Sequence, residues 1–332
     1  MRAAVLHTLG EPPVLGDHPD PVPAAGQSLV RVTAAPLVPL DLLCASGASY
    51  FGRPAVPYVP GVQGVGTVER SAVLGTGTRV WFTTSAGMAP GDGSLAELCV
   101  VPDEDLVPLE SPVPDPVIAA LGLSAVAAWM SLTWRARLQP GERVLVLGGG
   151  GAVGQAAIGA ARVLGASRVV AVCRSEEAQE RARRAGAHQV VAMTSDVDEL
   201  TARLTRATGG AVDVVIDPVF GSAATAASRI LAEGGRLVNV GGASGDEATF
   251  SSAVLRSRSA SVLGYTNNSL TADQRRGALS AVVEHAATGH LVVAHQTRPL
   301  ADISEAWAEQ SAGEARARLV LAVSGGVVSP SS

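Results

Sequence analysis

Lysine is missing from this chain of 332 residues: all 25 basic side chains are arginine. That absence excludes a Schiff-base lysine, a pyridoxal-phosphate anchor and a P-loop lysine whatever the fold. Aromatic residues make up only 3% against 47% hydrophobic, so the core must be built from Ala, Val and Leu, a mixture suited to helices over a buried parallel sheet. Cysteine is limited to Cys44, Cys99 and Cys173, an odd and widely spaced set that argues against a disulfide framework and fits a reducing compartment. No Cys/His cluster has metal-ligand spacing. His285, His290 and His295 recur every five residues, which turns each about 140° from the last on a helix. The N-terminus has no signal-peptide apolar core, and the longest apolar stretch, Val117 to Leu132, is broken by Gly122 and Ser124. The net charge of -5 lacks the basic stripe that nucleic acid requires. A soluble cytoplasmic protein that binds neither nucleic acid nor membrane is expected.

What is present changes in texture along the chain. The first third is rich in Pro and Gly and carries short β-type runs at Ala3–His7, Ser28–Ala34, Gly64–Glu69, Arg79–Thr84 and Leu95–Val101, which predicts an irregular, mostly β domain. An alanine-rich helix follows over Val117–Arg135. From Arg143, short aliphatic strands alternate with amphipathic helices: strands near 144–147, 168–172, 189–192, 212–216, 236–240 and 261–263, helices at 153–164, 176–185, 197–208 and 222–231. This alternation predicts an α/β doubly wound parallel (Rossmann) sheet. Helices near 272–287 and 303–310 and a last strand at 318–323 complete the chain, and the tail Ser324–Ser332 is expected to be disordered. The expected domains are 119–289 for the dinucleotide and 1–118 with 290–332 for catalysis.

The strongest motif is Gly149-Gly150-Gly151-Ala152-Val153-Gly154, which follows the strand Val144–Leu147 and opens a helix. In that context the glycines Gly149, Gly151 and Gly154 permit a tight turn, close approach of a pyrophosphate to backbone N–H groups and close helix packing. Preference for NAD requires a carboxylate some 20 residues on, at the end of the second strand. Here the sequence reads Cys173-Arg174-Ser175. A guanidinium and a hydroxyl suit the 2′-phosphate of NADPH, unless Arg174 is only a solvated arginine.

Several segments together, PLVPLDLLCASG from Pro36, PYVPGVQGVGTV from Pro57, GSLAEL from Gly93, LGLSAVAAW from Leu121, GGGGAVG from Gly148, DVVIDPVFG from Asp213 and GGRLVNVGG from Gly234, resemble the medium-chain dehydrogenase/reductase superfamily. Within it the chain is similar to the zinc-independent quinone oxidoreductase-like and enoyl reductase branch. The resemblance implies a GroES-like catalytic domain beside the Rossmann domain. In zinc-dependent members Cys, His and Cys hold the catalytic metal; the matching places are Val38, Val62 and Leu123, with Gln63 for the neighbouring Glu, and none of these can ligate zinc. It further implies that Ala152 and Val153 lie at the cofactor and that Val240, Gly241, Leu263, Gly264, Tyr265 and Thr266 border its nicotinamide, unless they are simple sheet packing. A homodimer through the strand around Val262 is implied too.

Val38 and Ala127 depart from the Asn and Thr that zinc-free relatives often carry. Tyr50 is the candidate proton donor, or else an ordinary cleft-wall aromatic. Asp41 is either a catalytic carboxylate or a helix cap. Arg318 either reaches cofactor or substrate or sits in a surface salt bridge. The expected activity is NADPH-dependent hydride transfer to a small-molecule quinone or other α,β-unsaturated carbonyl compound. A biosynthetic enoyl or ketone reductase and a non-catalytic NADPH-binding protein are the alternatives.

Overall fold

The structure, a computed structural model, describes residues 1–323. The expected disorder of Ser324–Ser332 lies outside the described residues. Two compact units divide the chain: Met1–Gly122 with the residues from Ala294 on, and Leu123–Val293.

The first unit is mostly β. The long strand Gln27–Pro36 is its spine and pairs antiparallel with Gln63–Arg70, Leu98–Pro102 and Arg318–Ala322. Arg79–Thr83 and Leu106–Pro108 extend the sheet on one side, and His295–Pro299 lies parallel to Arg318–Ala322 on the other. The sequence pattern predicts only a link at His295–Pro299. A strand without alternation of apolar residues gives no periodic signal. Leu95–Glu97, expected inside a strand, instead bonds to the N-terminal segment: Ala4 N–H donates to Leu95 O at 2.8 Å and Glu97 N–H to Arg2 O at 3.0 Å. Phe82, Leu6, Leu37 and Leu95 are fully buried in this unit's core together with Tyr58 and Trp307, so three of the chain's few aromatics sit here. Each such side chain contributes about 1.5–3 kcal/mol on burial.

The helix Asp115–Met130, continued by a wider turn over Ser131–Arg135, is interrupted at Gly122, whose φ of 28° and ψ of -131° are not helical. Its 21 residues are long and apolar enough to cross a membrane, yet 72% of the most apolar window is buried inside the protein, as in a core helix.

The second unit holds six parallel strands in the order Gln189–Ala192, Arg168–Cys173, Arg143–Leu147, Val212–Asp217, Leu231–Asn239, Ser261–Gly264. In chain order this is 3-2-1-4-5-6, a Rossmann sheet, whose direction of winding reverses between Arg143–Leu147 and Val212–Asp217. Leu145, Leu147, Val170, Val172, Val215 and Leu237 form one buried layer with Leu200 and Leu204 of the helix Val197–Thr208. That helix begins at Asp196, whose carboxylate accepts from the N–H groups of Asp198 and Glu199, and stops at Gly209 with φ 69°. Ala156, Ala157, Ala160 and Ala161 let the helix Ala152–Val163 press closely onto the sheet. The helix expected to reach Leu231 ends at Ser228, because Leu231 already pairs with Val212 in the next strand.

Candidate cofactor and active site

Four turns leave the C-terminal ends of the parallel strands next to the reversal point, where ligands of open α/β sheets bind. After Arg143–Leu147 the chain turns at Gly148 (φ 65°), and Gly151 caps the helix Ala152–Val163 without any side-chain acceptor. The glycines divide by what surrounds them. A Cβ on Gly154 would stand 2.3 Å from Gly148 O, one on Gly150 2.5 Å from the Ala178 Cβ, and one on Gly149 2.6 Å from the Ala171 Cβ. On Gly151 it would meet nothing nearer than 3.5 Å. Three glycines therefore serve packing, and Gly151 faces open space at a helix N-terminus with its first N–H groups uncapped. Ala152 and Val153, half-buried, follow directly.

Two side chains that the sequence gives no pattern for hold this turn. Arg181 Nε donates to Gly150 O at 2.9 Å, and Gln155 Nε2 donates to the same oxygen at 3.0 Å. Their carbonyl partner is thereby engaged within the protein. Only knowledge of which residues follow the second strand at helical spacing could have pointed to Arg181.

At the end of Arg168–Cys173, Cys173 is buried and the N–H groups of Gly149 and Gly150 face its sulfur; burial nonetheless pushes the thiol pKa up, so it stays neutral. Arg174 is exposed and has no ion pair or hydrogen bond among the described residues. Ser175 caps the helix Glu176–Arg184, its Oγ accepting from Ala178 N–H at 3.2 Å. A neutral thiol, a free guanidinium and a hydroxyl thus stand where a carboxylate would repel a phosphate.

The third turn is built by Asp217, which is fully buried. Its Oδ1 accepts from Val219 N–H at 3.0 Å and Phe220 N–H at 2.7 Å, holding Phe220 at φ 58°, a conformation that costs a bulky residue energy. Oδ2 is buried without a hydrogen-bond partner. Burial pushes this carboxyl up to about 6, against the pull of the two N–H groups and Asn239. A Cβ on Gly148 would stand 2.6 Å from Val219 Cγ1, so the first and third turns touch.

Val240 and Gly241 follow the fifth strand. Val240 N–H donates to Asp217 O at 2.8 Å, and Asn239 Nδ2 donates to Gly241 O at 3.0 Å. Leu263 and Gly264 end the edge strand, and Tyr265 N–H donates to Asn239 O at 2.9 Å. Tyr265 Oη donates to Asn267 Oδ1 at 2.6 Å, and Asn267 Nδ2 to Leu123 O at 3.1 Å. Thr266 accepts from Asn268 N–H and starts a short turn. The candidate cofactor residues of this unit are therefore all at or just beyond the C-terminal ends of the strands.

Asp41 and Tyr50 belong to the first unit. Pro39–Ser46 forms a helix capped at Val38. Asp41, 2% exposed, accepts from Val38 N–H and Val62 N–H at 2.9 Å each, with Gly61 N–H also directed at it. Burial pushes its carboxyl up to about 6, while these donors and the Arg318 charge pull it down. Arg318 is thus placed differently from a surface salt bridge: it faces this buried carboxylate, donates to Leu37 O, and burial lowers its guanidinium to about 10. Asp41 ties together Val38 and Val62, two of the three positions matched to metal ligands in the resemblance. Gln63 is buried, accepts from Trp81 Nε1 at 3.1 Å, and lies so close to Gly122 that a Cβ there would stand 1.9 Å from Oε1. Val38 and Ala127 are buried and apolar. Tyr50 is 79% exposed, its ring 4.3 Å from that of Phe51, and its hydroxyl has no partner among the described residues. No group of three His, Cys, Asp or Glu side chains with metal-binding geometry occurs among the described residues.

Comparison with known proteins gives the same two-part division. The family described as alcohol dehydrogenase GroES-like domain matches residues 24–111, and that described as zinc-binding dehydrogenase matches residues 152–284. The mouse quinone oxidoreductase is 32% identical over 250 residues, 73% of each chain. A phenolphthiocerol/phthiocerol polyketide synthase chain of Mycobacterium tuberculosis is 31% identical over 317 residues, 91% of this chain and 14% of that much longer one. Among solved structures, a mycobacterial quinone oxidoreductase superposes with a TM-score of 0.86 at 25% identity over 97% of this chain and 99% of its own. The quinone oxidoreductase of Thermus thermophilus, also solved as its complex with NADPH, gives 0.76 at 30% identity over 97% and 100%. With its glycine turn, its reversal point and its GroES-like partner unit all in the expected order, the chain belongs to the medium-chain dehydrogenase/reductase superfamily, in the quinone oxidoreductase-like branch.

Proposed function

We propose that the protein is an NADPH-dependent oxidoreductase that passes hydride to a quinone or other α,β-unsaturated carbonyl compound without zinc. The observation that carries the reading is the open face of Gly151 at an uncapped helix N-terminus, with Arg174 free beside it. In this reading the open side of Gly151 and the helix N–H groups from Ala152 onward hold the pyrophosphate, Arg174 and Ser175 the 2′-phosphate, and Val153, Val240, Gly241, Leu263, Gly264, Tyr265 and Thr266 the nicotinamide side. When bound, NADPH supplies the hydride. Cys173, neutral at the end of its strand, removes the charge that would oppose a phosphate there.

Val38, Val62 and Leu123 offer no ligand to zinc, so no Lewis acid is available from those positions to an isolated ketone's developing alkoxide. Acceptors that delocalise the incoming charge, as phenolate-like oxyanion or enolate, need only hydrogen-bond donors, and the exposed hydroxyl of Tyr50 is the proposed one. Asp41, saturated by backbone donors, positions the chain around Val38 and Val62 in this scheme. The likeness to a polyketide synthase over 91% of this chain supports biosynthetic enoyl reduction as a second reading. A cytoplasmic homodimer joined through the edge strand Ser261–Gly264, where Val262 is 37% exposed, belongs to the same proposal.

Steady NADPH oxidation with 9,10-phenanthrenequinone, a conjugated enone and an enoyl thioester tests it. Turnover of the quinone or enone supports the first reading, and turnover of the thioester alone the second. Tight NADPH binding with no turnover across the panel supports a non-catalytic binding protein instead.

A further inference from the structure

A cavity of about 450 Å³ in the second unit is lined by the last turns of the helices Ala152–Val163 and Glu176–Arg184 and by the segment around the end of Ala272–Ala287. Arg162, Arg184, His285 and His290 line it beside Gly159 and Gly289, and no carboxylate does. In a chain with 30 acidic and 25 basic residues, that composition runs against the average. The helix Ala152–Val163 is 12 residues long, and the cavity lies at the far end from the glycine turn, roughly 15 Å along the axis.

Cations gather at helix C-termini because the last carbonyls are partly negative, so a purely structural role is the first explanation to weigh. Backbone donors already take those carbonyls. Leu164 N–H bonds Ala160 O at 3.0 Å, Gly165 N–H bonds Arg162 O at 3.0 Å, Ala185 N–H bonds Arg181 O at 2.9 Å and Gly186 N–H bonds Arg183 O at 2.9 Å. The Arg162 side chain has no hydrogen bond or ion pair among the described residues, and its guanidinium lies against Gly186, where a Cβ would stand 2.2 Å from Nη1. Arg184 shares the single carboxylate of Glu180 with Arg183, at 3.1 and 3.4 Å. Charge on this wall is therefore only partly compensated.

The histidines are oriented. Thr288 Oγ1 donates its one proton to His285 O at 3.0 Å and so accepts from His290 Nδ1–H at 2.9 Å, which assigns the tautomer and leaves Nε2 for another partner. That nitrogen accepts from an acidic hydroxyl when neutral and donates when protonated. The His285 ring is fixed against Trp129 at 5.5 Å. Guanidiniums that match tetrahedral oxyanions, an imidazole able to pair with a protonated oxygen, and open space beside Gly289, where a Cβ would meet nothing within 4 Å, are the chemistry of phosphate recognition.

We propose that this cavity is a binding site for a phosphate group, free or as a small phosphate monoester, separate from the dinucleotide site. Isothermal titration of the full chain with inorganic phosphate and with glycerol 3-phosphate, at constant ionic strength and with or without saturating NADPH, tests it. The expected result is one saturable site with a Kd on the order of 1 mM that persists with NADPH. It weakens at least about tenfold in Arg162→Ala and is unchanged in Arg70→Ala, an exposed arginine of the other unit. Tighter binding of the ester identifies a metabolite, and equal binding the bare anion. The melting temperature of Arg162→Ala checks its fold, and Arg184→Ala gives an independent second variant. Equal phosphate affinity of wild type and both variants overturns the proposal, as does binding that NADPH abolishes or the absence of saturation.

Discussion

The open side of Gly151 and the closed pocket of Asp41 are opposite uses of polar groups. At the glycine turn, the helix Ala152–Val163 begins without a side-chain cap, Arg181 and Gln155 engage the Gly150 carbonyl, and Arg174 stands free. At Asp41, a carboxylate meets three backbone donors and the field of Arg318. Groups satisfied inside the protein hold the chain in place, whereas unsatisfied ones at a surface are available to a ligand. The two sites should therefore fail differently when altered: loss at Asp41 shows in stability, and loss at the turn shows in cofactor affinity.

The largest expected effect is that of Asp41→Ala, which removes the buried carboxylate facing Arg318 and leaves the Val38 and Val62 N–H groups without an acceptor. A stability loss of about 3–5 kcal/mol in urea denaturation is expected. A loss under about 1 kcal/mol, together with abolished turnover, would move Asp41 from a tie to a catalyst.

Within the turn, Gly154→Ala and Gly151→Ala separate packing from binding. The first puts a Cβ 2.3 Å from a backbone oxygen and is expected to cost about 2–3 kcal/mol of stability. The second meets open space, so its melting temperature should stay near wild type while NADPH affinity falls. Equal destabilisation by both would erase the distinction.

Asp217 supplies a pH test of a buried acid whose second oxygen has no partner. Its folded pKa, about 6, lies above the ordinary 3.8, so the protonated form is favoured in the folded protein. The stability it contributes is complete below about pH 4 and is lost as pH rises through 6, a decline on the order of 2–3 kcal/mol. Asp217→Asn keeps an acceptor for Val219 and Phe220 and removes the charge. Its stability relative to wild type should therefore improve between pH 4 and pH 7.5. Asp41, shifted in the same direction, leaves its own part of the decline in both proteins.

Legibility followed the regularity of the backbone. The helices Val197–Thr208 and Ala272–Ala287 match their expected limits because capping side chains mark them: Asp196 and Gly209 for one, the Thr271–Gln274 capping box for the other. The strands Val14–Asp17, Leu106–Pro108 and His295–Pro299 left little trace, being three to five residues long and partly exposed. The break at Gly122 was hidden inside an alanine-rich run, since the side chain that fills the place of a Cβ there, Gln63, is 59 positions away in sequence. In the site, the glycines and the Cys173–Ser175 segment were readable because their spacing from a strand is fixed. Arg181, Gln155, Asn239 and the partnership of Asp41 with Arg318 were not, because each depends on which chain segments meet in space.

Smallest in energy but most direct is the cofactor comparison. Titration of wild type and Arg174→Ala with NADPH and with NADH reads the contribution of one charge-assisted contact, about 1.4 kcal/mol or tenfold. Wild type is expected to bind NADPH at least about tenfold more tightly than NADH, and Arg174→Ala to remove this preference with NADH affinity unchanged. A wild type that prefers NADH, or an Arg174→Ala variant with unaltered NADPH affinity, would contradict the assignment of this turn to NADPH.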